Sequence, residues 1–276
     1  MPQAIADARI EEAERVRIGH SNVDAVTYAE ALDRIVELAE CPGGSAQVIT
    51  PNAQHIVLLE RDLYLRKIYS GAALVVPDGI SLVYAARILG RPLKERVTGV
   101  DLFQGLCERA AKRGLRVYLL GGRPGAAEEA AAKLKSINPG LCIAGTFCPA
   151  WGFHLREEGQ REVESEILAA RPHILFVALG APKQEYWIYE HLDQLGVPLA
   201  MGIGGSFEMV SGATRRAPRW VQAAGMEWLF RLALEPRRLW KRYLIGNLKF
   251  LLIVLRQALR RDAESRREYH KTEGRV

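Results

Sequence analysis

The sequence predicts an α/β protein whose mostly parallel sheet is flanked by helices and followed by a basic, helical C-terminal appendage. Three observations predict it. Short apolar runs alternate with segments of helical period between Gln47 and Met201. Most of these runs stop at a corner rich in Gly, Pro or Asn, where a strand would hand over to a helix. After Ser211-Gly212 the character changes abruptly to Arg, Trp and long apolar side chains.

In chain order, residues 1–14 read as a loose acidic leader without the apolar stretch of a secretory signal. Arg15–Gly19 is a short first strand. Tyr28–Glu40 is a helix, because Ala31, Leu32, Ile35, Val36 and Leu38-Ala39 recur at helical spacing, and Cys41-Pro42-Gly43-Gly44 ends it. Gln47–Thr50 is a strand closing on Thr50-Pro51-Asn52. Asn52 is a good cap for the one or two helices that run to Ser70. Ala73–Val76 is a buried strand that stops at Pro77-Asp78-Gly79, and Ile80–Leu89 is the next helix. Val100–Arg113 is helical and Gly114 closes it. Leu115–Leu120, Leu141–Thr146, Ile174–Leu179 and Pro198–Met201 are strands. Helices at Ala126–Ile137, Glu157–Ala170 and up to His191 lie between them. The stretch from Leu115 to Gly205 has the alternation of a Rossmann-like nucleotide-binding half. The core is therefore expected over 15–214, as an N-terminal lobe of about 15–113 and a Rossmann-like lobe of about 114–214. Residues 215–262 form the appendage, and 263–276 a flexible tail.

Composition narrows the function classes. Apolar residues make up 49% and charged residues 25%, ordinary for a globular protein. Residues 215–276 hold 16 Lys+Arg against 6 Asp+Glu, so the basic excess lies there and residues 1–214 are net acidic. Anionic membrane, polyanionic substrate and nucleic acid are the candidate partners. Nucleic acid is set aside because no recognised motif accompanies the basic patch. No run of 18 apolar residues occurs, so no spanning helix is expected. Cys41, Cys107, Cys142 and Cys148 show no metal-ligand spacing and read as reduced packing cysteines. The six His are scattered and receive no role.

Several corners could carry chemistry. Gly121-Gly122-Arg123-Pro124-Gly125 follows a strand and opens a helix, a place where backbone N–H groups approach a diphosphate. Its spacing is not that of the dinucleotide fingerprint, and no Walker A motif occurs. Gly180-Ala181-Pro182-Lys183-Gln184-Glu185 and Gly202-Ile203-Gly204-Gly205-Ser206 are further strand-end corners. Each alone is equally well a plain turn. Together with Thr50-Pro51-Asn52 and Pro77-Asp78-Gly79 they would line one sheet edge, and that convergence favours a binding site. Asp78 is a candidate general base; the alternative is an Asp that only bonds its own turn. Asp101 is its rival, or else a cap for the helix that starts there. Asp-x-Asp and other metal motifs are absent, so no metal or cofactor is expected, and leaving-group charge would fall to Arg, Lys and helix ends. In the appendage Ile245, Leu248, Leu252, Leu255 and Leu259 share one helical face, with Arg242, Lys249 and Arg256 repeating beside it. That helix could pack on the core, form an oligomer interface or lie in a membrane interface.

The ordered set Thr50-Pro51-Asn52, Val76-Pro77-Asp78-Gly79, Arg96-Val97-Thr98-Gly99-Val100-Asp101, Gly180-Ala181-Pro182-Lys183-Gln184-Glu185, Gly204-Gly205-Ser206-Phe207 and Glu227-Trp228-x-x-Arg231…Glu235-Pro236-Arg237-Arg238 strongly resembles the WecG/TagA/CpsF glycosyltransferases over about residues 15–250. The resemblance implies an inverting, metal-independent enzyme. It would move a sugar from a UDP-sugar to a polyprenyl-diphosphate-linked saccharide at the cytoplasmic face of the plasma membrane, as a peripheral protein. The pathways implied are exopolysaccharide, teichoic acid or common-antigen synthesis. It implies Asp78 as catalytic base, with Thr50, Asn52, Gly79, Arg96 and Gln184 lining the substrate pocket. Gly121, Gly122, Gly180, Gly204 and Gly205 fall on the nucleotide side. Arg231 and Arg238, on a membrane-binding appendage that closes over the site, meet the diphosphate. Lys241 stands where an arginine can occur, and Phe207-Glu208 replaces a common Phe-Asp. A nucleotide-sugar epimerase or oxidoreductase would instead carry bound nicotinamide, and a non-catalytic sensor would bind UDP without transfer.

Overall fold

The computed structural model describes residues 14–273; the side chains of Ala223, Arg238 and Arg242 and those from 262 onward lie outside the described set, as does nearly all of the N-terminal leader. Strands β1 (Arg15–Ile18) and β2 (Ser21–Asp24) form an antiparallel hairpin. Then come α1 (Tyr28–Glu40), β3 (Ala46–Ile49), α2 (Ala53–Leu59), α3 (Leu63–Gly71), β4 (Leu74–Val75), α4 (Ile80–Ile88) and α5 (Gly99–Arg113). They are followed by β5 (Arg116–Gly121), α6 (Ala126–Ile137), β6 (Cys142–Phe147), α7 (Glu157–Ala170), β7 (Ile174–Ala178), α8 (Lys183–Leu195), β8 (Leu199–Gly202) and α9 (Ser206–Ser211). The C-terminal segment adds α10 (Arg219–Ala223), α11 (Glu227–Leu234), α12 (Pro236–Trp240), a π-helical turn over Lys241–Ile245 and the long α13 (Gly246–Glu273).

Local chemistry explains several boundaries. Thr27 caps α1 and Glu30 returns the bond to the Thr27 N–H, a complete capping box. Asn52 caps α2 by accepting from Gln54 N at 3.0 Å. Gly114 closes α5 in a left-handed conformation. Strand β2 has no sequence signal, since Val23 is the one apolar residue of Ser21-Asn22-Val23-Asp24. Tertiary bonds make it: Asp24 accepts from Arg15 Nε at 2.9 Å and from Val75 N at 2.8 Å, tying the hairpin to the sheet edge.

The main sheet is fully parallel, in the order β4-β3-β8-β7-β5-β6. Parallel pairing puts every strand's carboxyl end on the same edge, so the corners after β3, β4, β5, β7 and β8 share it, as expected. Alternate side chains go to opposite faces. Val117, Leu119, Phe176 and Met201 pack with α1, α5 and α6. Tyr118, Leu120, Val177 and Ala200 pack with α7 and α8. A third cluster joins the hairpin and α2–α4 to Phe250 and Val254 of α13.

That last contact changes the picture of α13. Phe250 and Val254 are 6% and 1% exposed and dock the helix, while Gln257 bonds the hairpin turn through Gly19 N and Arg17 O, both at 2.8 Å. The stripe singled out by Leu periodicity, Ile245, Leu248, Leu252, Leu255 and Leu259, lies on the opposite side and is exposed. The helix therefore has two apolar faces and the core covers one of them. Among the described residues no helix is long and apolar enough to cross a membrane.

Candidate active site

The loop after β4 is held from three directions. Asp78 N donates to Pro51 O at 3.0 Å, from the loop after β3. Val97 N donates to Pro77 O at 2.9 Å, and Gly99 N donates to the Asp78 Oδ1 at 2.8 Å, from the start of α5. The Asp78 carboxylate is thus fixed before any ligand arrives. Burial raises its pKa above the ordinary carboxylate value, and the nearby Glu227 pushes the same way. The Gly99 N–H, Arg96 and His55 oppose this without cancelling it. A carboxylate of this kind is a stronger base than a free one.

Asp78 opens into a cavity of ≈ 540 Å³ whose walls include Asn52, Gly79, Arg96, Arg216, Glu227 and Arg231. Asn52 packs so closely on Gly79 that a side chain there would meet its Cβ at 3.1 Å, which explains the glycine. Arg96 and Arg216 converge on one carboxylate. Arg96 Nη1 lies 3.5 Å from Glu227 Oε2, and Arg216 Nε lies 3.6 Å from Glu227 Oε1. The Arg216 guanidinium also grips Asp101 with two bonds of 2.6 and 2.9 Å. Arg231 is one turn beyond Glu227 on α11, and its Nε is buried with no hydrogen-bond partner among the described residues. The cavity therefore holds a preset carboxylate, arginines paired with Glu227 and Asp101, and an arginine nitrogen without a hydrogen-bond partner among the described residues.

Asp101 is not the cap of α5. Thr98 caps it, accepting from Asp101 N at 3.2 Å, and Asp101 instead takes Arg216. Burial alone would raise the Asp101 pKa, but the hydrogen bonds from Arg216 and Thr98 outweigh it and hold the carboxyl below its usual value. The stability from this pair is present above the unfolded carboxylate pKa and is lost as pH falls through the lower folded one. Arg216→Met is expected to cost about 1–2 kcal/mol, because Asp101 keeps some solvent to fall back on. Thermal unfolding at neutral pH should show a lower Tm, and the gap to the parent protein should close in acid; a constant gap would assign the loss to packing.

The other candidate residues lie elsewhere on the same edge. Gly121 and Gly122 line a second cavity of ≈ 330 Å³ with Trp151, Lys183 and Trp187. There Lys183 Nζ sits 4.7 Å above the Trp151 ring, which is 92% exposed. Beside this corner Glu208 Oε1 accepts from Arg123 N at 3.0 Å, while its buried Oε2 has no hydrogen-bond partner among the described residues. Gln184 is buried between the strand ends and lines neither cavity. Its Oε1 accepts from Gly204 N at 3.0 Å, and its amide packs against Gly202, leaving no room for a Cβ there. Thr50 bridges the two sides: its Oγ1 donates to Gly202 O at 3.5 Å and it packs on Gly99. Gly180 and Gly205 sit at corners outside both cavities. Arg238 belongs to α12, and its side chain lies outside the described residues.

Arg216 did not stand out in the sequence, and Glu227 entered only as part of the Glu227-Trp228-x-x-Arg231 motif, with no role of its own. Arg216 looked like one charge of a basic run. A further signal for Glu227 is its four-residue spacing from Arg231, which puts them on one helical face.

Two relatives are similar over most of their length. An N-acetylglucosaminyldiphosphoundecaprenol N-acetyl-beta-D-mannosaminyltransferase of Bacillus spizizenii is 36% identical over 189 residues, 68% of this chain and 70% of the relative. A protein of the same description from Bacillus subtilis is 31% identical over 215 residues, 78% and 80% of the two chains. The family described as Glycosyl transferase WecG/TagA/CpsF matches residues 16–264, which takes in the sheet, both cavities and most of α13. A parallel α/β core that ends in this set of corners, matched along nearly its whole length, belongs to the WecG/TagA/CpsF family of glycosyl transferases.

Proposed function

We propose that the chain is an inverting, UDP-sugar-dependent hexosyltransferase that extends a saccharide carried on a polyprenyl diphosphate, in cell-surface polysaccharide synthesis. The observation that carries this is the cavity itself: a preset, partly buried carboxylate shares it with an arginine whose Nε has no hydrogen-bond partner among the described residues. Asp78 takes the proton from an acceptor hydroxyl as that oxygen attacks the anomeric carbon. The bond to the UDP oxygen breaks on the opposite side, and UDP leaves with the electron pair. One displacement of this kind inverts the anomeric centre. Arg96 and Arg231 meet phosphate charge, as guanidinium forks do, with Arg238 as a further candidate. The nucleotide lies toward Gly121, Gly122, Gly180, Gly204 and Gly205. Gln184 and Thr50 hold the wall between the two sides, and Asn52 and Gly79 orient the sugar. The relatives' names make N-acetylmannosamine on an N-acetylglucosaminyl-diphosphate lipid the first donor and acceptor pair to try. NMR of the product's anomeric proton tests the mechanism: an inverted linkage is expected, and a retained one would overturn it.

Residues 215–262 serve this core as a membrane-associating appendage on an anionic, cytoplasm-facing surface. Trp220, Trp240 and the outer face of α13 are exposed beside Lys and Arg, the composition of an interfacial helix. Replacing Leu248, Leu255 and Leu259 with Ser removes that face while sparing the docked one. Flotation with vesicles rich in anionic lipid should fall by about tenfold or more. Undiminished flotation would sink the membrane assignment, and an unchanged Tm serves as the folding control.

A further inference from the structure

The charged groups of the cavity beside Asp78 come from a few neighbouring segments. Asp78, Arg96, Arg216, Glu227 and Arg231 gather where the β4 loop meets α5 and α11. The rest of the lining is largely apolar, with Asn52, Gln54, Ser81 and Asn247 among its polar members. On one side Ile80, Tyr84 and Ile88 of α4 stand four residues apart and form a single stripe. On the other side are Leu251 and Val254 of α13. The stripe begins two residues after Asp78 and runs eight residues along the helix, about 12 Å.

This wall is unusual for α4. Leu82, Val83, Ala85 and Ala86 of the same helix are buried, yet Tyr84 and Ile88 are 52% and 53% exposed. Core packing does not account for an apolar stripe left open along a cavity. The occupant that fits must carry anionic charge at one end and continue as an apolar chain. The acceptor proposed above has this polarity: its diphosphate would sit at the arginine-lined end and its first isoprene carbons would start at the apolar stripe. From ordinary carbon–carbon bond lengths an extended isoprene unit spans about 4–5 Å, so the stripe covers roughly two or three units.

We propose that the trench between α4 and α13 binds the first isoprene units of the acceptor lipid, with Tyr84, Ile88 and Leu251 as its recognition residues. This rests on the lipid-acceptor reading and assigns it a subsite. It separates two roles of α13: the side facing α4 reads the individual acceptor, and the opposite Leu face meets the bulk membrane. The enzyme would then grip the root of the lipid after lifting it partly out of the bilayer.

The test is a chain-length series. Transfer by the full-length protein is measured on N-acetylglucosaminyl diphosphates carrying dimethylallyl, geranyl, farnesyl and geranylgeranyl chains, in one detergent. The expected kcat/KM rises from dimethylallyl to farnesyl and then levels off. Tyr84→Ser combined with Ile88→Ser should shrink the farnesyl-over-dimethylallyl gain by about tenfold. Leu255→Ser combined with Leu259→Ser, on the opposite face, should leave that gain in place. A gain that survives the α4 substitutions, or that keeps climbing with chain length in parent and variant alike, overturns the trench. Absence of transfer to every one of these lipids overturns the acceptor reading and the trench with it, so the two failures look different.

Discussion

Asp78→Asn is expected to lower kcat for sugar transfer by about 10²–10⁴-fold, the contribution of a positioned base. The amide keeps an oxygen for the Gly99 N–H, so the loop geometry should persist. The same substitution should raise Tm. Because the folded pKa of Asp78 lies above its unfolded value, the ionised side chain opposes folding at every pH above that folded value. A neutral amide removes that cost. The parent enzyme should also lose activity on acidification earlier than an unperturbed carboxylate would require, since burial and Glu227 both favour the protonated form. Steady-state rates across pH, with Tm measured alongside, check all three outcomes. Near-parental turnover by the folded Asp78→Asn protein would remove Asp78 as the base.

Arg231→Ala is expected to cost about 10²–10³-fold in kcat, the scale of removing one donor aimed at developing charge. Its Nε has no hydrogen-bond partner among the described residues, so the change breaks no hydrogen bond of that nitrogen there. Tm should therefore move little while activity collapses. Arg231→Lys should recover only part of the loss, because an ammonium lacks the planar fork that meets two phosphate oxygens. Full recovery by lysine would reduce the role of Arg231 to net charge. Glu227 makes a useful contrast. Held between Arg96 and Arg216, it ties α11 to the loop that bonds Asp78. Glu227→Ala should therefore lower both stability and activity, whereas Arg231→Ala lowers activity alone. Thermal unfolding separates the two.

Much of the fold was legible because its signals are local. Apolar residues at helical spacing from Ala31 to Ala39 announce α1, Asn52 announces α2, and Gly114 ends α5. The apolar runs of β5, β7 and β8 are strands buried on both faces, where nearly every position is apolar and periodicity is not needed. Strand β2 was hidden because its pairing depends on Asp24 reaching Arg15 and Val75, across the fold. The face of α13 that docks was not singled out, for a related reason. Leu dominates the periodicity, yet Phe250 and Val254 are the side chains that meet the hairpin and α2–α4.

By itself the sequence determined the order of the main-sheet strands and the helices between them, the strand-end corners and the family, since each is written in contiguous residues and their spacing. Parallel pairing then had to put those corners on one edge, which the alternation of elements already implied. Only the tertiary structure decided how the corners divide. Asn52, Asp78, Gly79, Arg96 and Arg231 meet in one cavity, Gly121 and Gly122 in another, and Gln184 is buried between the strand ends. The physical reason is that charge and burial are properties of neighbours, not of chain position. Arg216 and Glu227 are each one charge in a basic segment until folding sets them against Asp101 and Arg96, more than a hundred residues away.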